Sequence, residues 1–199
     1  MNFELTAAQR RQIDVLFMAA VTLVKLVNDL IDYAHLDDES EIRVADTAFS
    51  PDGVVDEVRG LLGPLLDYHG VELAVERHCE TPRSGDARLV NRVLLNLLST
   101  AIQAMEDGGQ VRIVLEDGND GGLDIRVEDD GPGLDCEEIT QSLAAAVAGV
   151  SLAETDGWTH GLGLSISARL VDAAGGTLRV EPVDPCGTRF VVHLPFTAI

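Results

Sequence analysis

Val127-Glu128-Asp129-Asp130-Gly131-Pro132-Gly133-Leu134 is the stretch on which the reading of this chain turns. Leu123 to Val127 alternates apolar and polar residues, the pattern of a half-buried strand. That strand delivers an acid directly into a Gly-x-Gly turn. A carboxylate at a strand end can accept a hydrogen bond from an exocyclic amine, and glycines allow a tight backbone and close ligand approach. Taken alone, the pattern reads equally well as an ordinary acidic turn.

Two further segments narrow the reading. Gly161-Leu162-Gly163-Leu164 opens a helical stretch that runs to Ala174. Small residues at a helix start leave N–H groups and the positive dipole end free, a phosphate cradle that needs no Lys or Arg. Upstream, Asn91 to Met105 is one apolar helix interrupted by Asn96, Thr100 and Gln103. Asn96 and Thr100 are four apart and share a face. An amide in the middle of such a run asks for a polar partner.

The rest of the chain fits around these segments. From Thr6 to about Asp37 there is no Gly or Pro, and Ile13, Leu16, Phe17, Ala20, Leu23, Val24, Val27, Leu30, Ile31 and Ala34 form one stripe. That predicts a helix of about eight turns, capped at Thr6, whose stripe needs a second helix to cover it. Asp37-Asp38-Glu39-Ser40 reads as a linker, so residues 1–40 form one unit and 41–199 another. In the second unit Ile42 to Ala48 predicts a short strand. Ser50-Pro51 starts a helix that Gly70 stops, and Val71 to Val75 alternates as a strand. Asp86 caps the Asn96 helix, which runs to about Gly108-Gly109. Val111–Leu115 and Leu123–Val127 form a hairpin around Asp117 to Gly122. Asp129 to His160 reads as loop-rich. Thr177–Val180 and Arg189–Leu194 form a last hairpin. The pattern predicts an α+β fold: a two-layer α/β sandwich, a mixed sheet with helices on one face, preceded by one long helix.

Composition bounds the function. Fourteen basic against 34 acidic residues give a net charge of −20 over 199 residues. Nucleic acid and anionic membranes need clustered cations, so neither is an expected partner. No apolar run approaches the roughly 20 residues that span a bilayer, and the N-terminus lacks the pattern of a signal peptide. Cys79, Cys136 and Cys186 are widely spaced, without a C-x-x-C pair. This predicts reduced thiols and a cytoplasmic location.

In this order and at these distances, the three segments resemble the N, G1 and G2 boxes of the bacterial sensor histidine kinase catalytic domain. That domain belongs to the Bergerat-type ATPases, with gyrase and the Hsp90 chaperones. The match is carried by Asn96-Leu-Leu-Ser-Thr-Ala-Ile-Gln-Ala-Met105, Asp129-Asp-Gly-Pro-Gly-Leu134, Gly161-Leu-Gly-Leu-Ser-Ile166, Ala174-Gly-Gly-Thr-Leu-Arg-Val-Glu181 and Gly187-Thr-Arg-Phe-Val-Val-His-Leu-Pro195. Leu26 to Leu36 is similar to the end of the second helix of the family's dimerisation and phosphotransfer hairpin. The resemblance implies ATP and Mg²⁺ as cofactors, a response regulator receiver domain as partner, and a homodimer through the N-terminal helix. It implies that Asp129 reads the adenine amine, that Gly131 and Gly133 shape its pocket, and that Gly161, Leu162, Gly163 and Leu164 cradle phosphates. It also implies that Asn96 and Thr100 lie on the phosphate side, with Asn96 toward the metal, that residues 135–160 are the lid, and that the chain is the cytoplasmic portion of a larger sensor.

The chain departs from the family in four ways. The helix with the phosphoacceptor histidine is not within it, and His35 stands outside that motif's context, as a solvated helix-end residue. Thr100 replaces the Asn that reaches Mg²⁺, and a hydroxyl is the weaker ligand. Thr159 and His160 stand at the start of the G2 box. Leu134 to Trp158 holds Asp135, Glu137, Glu138, Glu154 and Asp156 but no cation, and Leu143 to Ala148 stands where the aromatic lid box belongs. Two readings follow: an ATP-binding kinase domain acting on a histidine outside the chain, or a degenerate scaffold that dimerises and docks a response regulator. A gyrase-like hydrolase is disfavoured, because the amide of Asn96 cannot act as its general base.

Overall fold

Odd-numbered residues from Val111 to Leu115 and from Leu123 to Val127, and even-numbered residues from Phe190 to Leu194, are apolar and buried. Their neighbours are polar except Val114 and Val191, so three strands each present one oily face. The computed structural model describes residues 44–79, 81–105, 108–148 and 161–199. The expected N-terminal helix and residues 149–160 of the expected lid lie outside the described residues.

The described elements are β1 (Thr47–Phe49), α1 (Pro51–His69), β2 (Val71–His78), β3 (Arg83–Gly85), α2 (Ala87–Ala104), β4 (Gly109–Asp117), β5 (Leu123–Asp129), α3 (Cys136–Val147), α4 (Gly161–Ala173), β6 (Thr177–Pro182) and β7 (Thr188–Leu194). Five strands form one sheet in the order β2-β4-β5-β7-β6, with β2 parallel to β4 and the other pairs antiparallel. β1 and β3 form a separate antiparallel ribbon. This is the expected mixed-sheet sandwich, with the helices packed on the sheet's apolar face.

Local chemistry sets the helix ends. Ser50 Oγ accepts from Gly53 N at 3.3 Å, Pro51 occupies the first turn, and Gly70 closes α1 in the left-handed region with φ of 65°. Asp86 Oδ1 accepts from Arg88 N and Leu89 N and caps α2, while its Oδ2 takes Ala45 N at 2.9 Å. One carboxylate thus ties the incoming chain to the central helix. α2 buries Val90, Val93, Leu94, Leu97, Leu98 and Ile102 completely. It is apolar on more than one side because the sheet lies beneath it and α1 and α4 flank it.

The structure corrects three expectations. Among the described residues the first strand is Thr47–Phe49, so Val44 to Asp46 of the expected Ile42–Ala48 strand fall before it, since it extends only as far as β3 pairs with it; Ile42 and Arg43 lie outside the described residues. β3 itself was not expected. It buries Arg83, whose guanidinium donates to the carbonyls of Gly121 and Phe196 and to the Asp117 carboxylate. The stretch expected to be loop-rich contains α3, capped by Asp135 Oδ1 accepting from Glu137 N and Glu138 N.

Candidate functional site

Strand alternation aims the key acid. Leu123, Ile125 and Val127 point into the core, so the next residue in that row, Asp129, points there too. It is 4% exposed. Asp130 turns the other way, and its Oδ1 accepts Gln110 N at 2.7 Å on the edge of β4. Asp129 Oδ1 accepts two backbone donors, Gly131 N at 3.0 Å and Thr188 N at 3.2 Å. Its Oδ2 has no partner among the described residues. Burial pushes the Asp129 carboxyl above the usual carboxylate range, the two N–H donors pull it partly back, and Asp130 adds to the rise. The site therefore holds a desolvated carboxylate with one oxygen fixed and the other open, suited to accept from an amine.

The turn after Asp129 is held from behind. Thr188 is fully buried at the head of β7; it donates its N–H to Asp129, and its Oγ1 accepts Leu134 N at 3.0 Å. Gly187 adopts φ of 121°, and a Cβ there would stand 2.1 Å from Asp129 O, so the turn closes only over a glycine. At Gly131 a Cβ would meet Asp129 Oδ1 at 3.0 Å and Met105 Cγ at 3.1 Å. Sequence reasoning gave Gly187 and Thr188 no site role. The available signal was their place at the start of the strand that pairs with β5.

On the other side, α2 meets α4. Asn96 Nδ2 donates to Gly163 O at 3.0 Å and to Ser167 Oγ at 3.1 Å, and Ser167 Oγ donates to Gly163 O at 2.8 Å. Asn96 therefore has the polar partners its apolar surroundings require. Thr100 Oγ1 donates back to Asn96 O at 2.8 Å, and Ser99 Oγ donates to the same carbonyl at 3.1 Å. Gly161, Leu162, Gly163 and Leu164 form the first turn of α4 as expected, with Leu164 in the core. The structure thus ties Asn96 directly to the Gly163 turn, and Asp129 to the turn that holds Gly131 and Gly133.

Other candidates stand apart. A cavity of about 490 Å³ lies at the β2 edge, lined by Arg59, Gly63, Asp67, Glu72, Ala74 and Gln110, and none of the Asp129 or Asn96 network lines it. Burial pushes the Cys136 thiol up, with Asp135 and Asp129 adding repulsion, both of which oppose the thiolate.

The model of the histidine kinase-, DNA gyrase B- and HSP90-like ATPase family matches residues 85–198. The autoinducer 2 sensor kinase/phosphatase LuxQ of Vibrio cholerae is 29% identical over 196 residues, 96% of this chain and 23% of LuxQ. The chain thus spans about a quarter of that relative's length. Full-length ShkA, solved in complex with AMPPNP, superposes with a TM-score of 0.75 at 27% identity, covering 100% of this chain and 41% of ShkA. The histidine kinase ThkA, solved in complex with the response regulator protein TrrA, shares the fold with a TM-score of 0.66 at 20% identity, over 97% of this chain and 53% of ThkA.

Proposed function

This chain belongs to the histidine kinase-, DNA gyrase B- and HSP90-like ATPases, and from that premise we propose that it is the ATP-binding catalytic part of a two-component sensor kinase. It transfers the γ-phosphate of ATP to a histidine outside this chain. The observation that carries this reading is the Asp129 carboxylate, with one oxygen held by Gly131 N and Thr188 N and the other open. Asp129 accepts the adenine amine, and Gly131 and Gly133 keep the pocket wall flat. The first turn of α4, Gly161 to Leu164, turns its N–H groups to the phosphates, and Asn96 lines that side. Phosphoryl transfer asks mainly for positioning and charge stabilisation, which positioned backbone donors and Mg²⁺ would supply together.

The described residues do not make a magnesium site by themselves. Asn96 Oδ1 is one available oxygen, but Thr100 is turned back to its own helix. Among the described residues no group of three His, Cys, Asp or Glu side chains is arranged to hold a metal. The Thr100 hydroxyl, turned back to Asn96 O, favours a second reading, a scaffold that keeps the fold, binds nucleotide weakly and docks a response regulator. In either reading the partners are a receiver domain, as in the ThkA complex, and a second copy through the N-terminal helix, in the cytoplasm.

Calorimetric titration with ADP, with Mg²⁺ and with chelator, tests the proposal. Saturable binding supports the kinase reading. No heat, and no displacement of a fluorescent ATP analogue, refutes it.

A further inference from the structure

Ser167 belongs to no motif discussed above, yet it is fully buried and closes a three-membered hydrogen-bond ring with Asn96 and Gly163. The donor count of that ring is complete. The Asn96 carboxamide has two N–H groups, one for Gly163 O and one for Ser167 Oγ. The single Ser167 hydroxyl proton goes to Gly163 O. A flipped Asn96 amide would set its oxygen against the Gly163 carbonyl, two acceptors face to face, so the ring admits one orientation only. That orientation leaves Asn96 Oδ1 away from α4.

We propose that Ser167 is a positioning residue for nucleotide phosphates: through Asn96 and the Gly163 carbonyl it fixes the first turn of α4 and the direction of the Asn96 oxygen. This rests on the nucleotide reading above and adds to it a residue that lies beyond the Gly-Leu-Gly-Leu motif, on the next turn of the same helix. A carbonyl pinned by two donors cannot rotate its peptide plane, so the N–H groups of the same turn keep their aim. Adenine, held by Asp129, does not depend on this ring. The two halves of a nucleotide should therefore respond differently to its loss.

The test uses the 199-residue chain, with Ser167→Ala, Asn96→Ala and the double variant. ADP and adenosine are titrated into each. Ser167→Ala should lower ADP affinity by about fivefold, the loss of one neutral hydrogen bond, and leave adenosine affinity unchanged. The double variant should lose no more than Asn96→Ala alone, because Ser167 acts through Asn96. Equal losses for ADP and adenosine, or fully additive losses, overturn the proposal. In parallel, the Asn96 side-chain amide is followed by NMR without ligand. Its two protons should be protected from exchange in the unmodified chain, and one should exchange fast in Ser167→Ala. An unchanged amide overturns the proposal whatever the titrations show. Absent ADP heat in the unmodified chain would instead count against the nucleotide reading.

Discussion

Replacing Asp129 by Asn changes one atom, and the surrounding bonds dictate which way the new amide faces. Oδ1 of residue 129 must still accept from Gly131 N and Thr188 N. An amide nitrogen there would set donor against two donors, so Nδ2 takes the open side. The group facing the adenine amine turns from acceptor to donor. A hydrogen bond to a charged acceptor is worth roughly 1.5–3 kcal/mol, so ADP affinity should fall about 10- to 150-fold. The same geometry gives a crossed prediction: IDP, which offers an oxygen at that position, should bind Asp129→Asn better than it binds the unmodified chain. The pH dependence has a definite sign. Burial raises the Asp129 carboxyl above its ordinary value of 3.8. Its contribution to stability is therefore full below 3.8 and is lost as pH rises through the higher folded value, so Asp129→Asn removes that loss. ADP binding runs the opposite way, because a protonated Oδ2 no longer accepts, and it weakens as pH falls through the raised value. Calorimetry with ADP and IDP for both proteins, repeated at acid pH, reads the binding effects, and urea unfolding of both proteins against pH reads the stability effect. An unchanged ADP dissociation constant in Asp129→Asn would refute the assignment of the adenine side.

Thr100→Asn should introduce Mg²⁺-linked tightening of ATP on the order of tenfold, about 1.4 kcal/mol, measured as the ratio of affinities with Mg²⁺ and with chelator. Strong Mg²⁺ dependence in the unmodified chain would remove the main support for the scaffold reading. Asp86→Ala removes the α2 cap and the tether to Ala45 together and should cost at least about 1–2 kcal/mol in urea unfolding; a smaller loss contradicts the tether. The intact chain should be dimeric by light scattering and a chain starting at Asp46 monomeric, because the stripe from Ile13 to Ala34 needs a cover; a monomeric intact chain sinks the idea. With labelled ATP the chain alone should gain no acid-labile, base-stable phosphate, and label on His35 would overturn the reading of that residue.

What was legible in the sequence was mostly local. Ser50-Pro51 and Gly70 bound α1 because caps and left-handed closures are decided within a few residues. Asp86 announced α2 for the same reason. The inward aim of Asp129 follows from two-residue alternation alone. β3 was not legible: three residues around an arginine become a strand only because β1 and the C-terminal segment pair with them and distant carbonyls receive Arg83. α3 had a readable signal in Asp135 followed by Glu137 and Glu138, an N-cap with an acidic first turn. Reading the whole stretch as lid concealed it. Thr188 looks like any β-branched strand residue, and its function lies in two bonds to residues more than fifty positions away.

That threonine has an entropic consequence. It holds Asp129 at one end of the turn and Leu134 at the other, so the residues between are confined before any ligand arrives. Ordering a residue's backbone costs about 1–2 kcal/mol, and a turn already ordered does not subtract that cost from affinity. On the proposed reading this preformed turn is the adenine side, and a nucleoside without phosphates is the probe that reads its affinity alone.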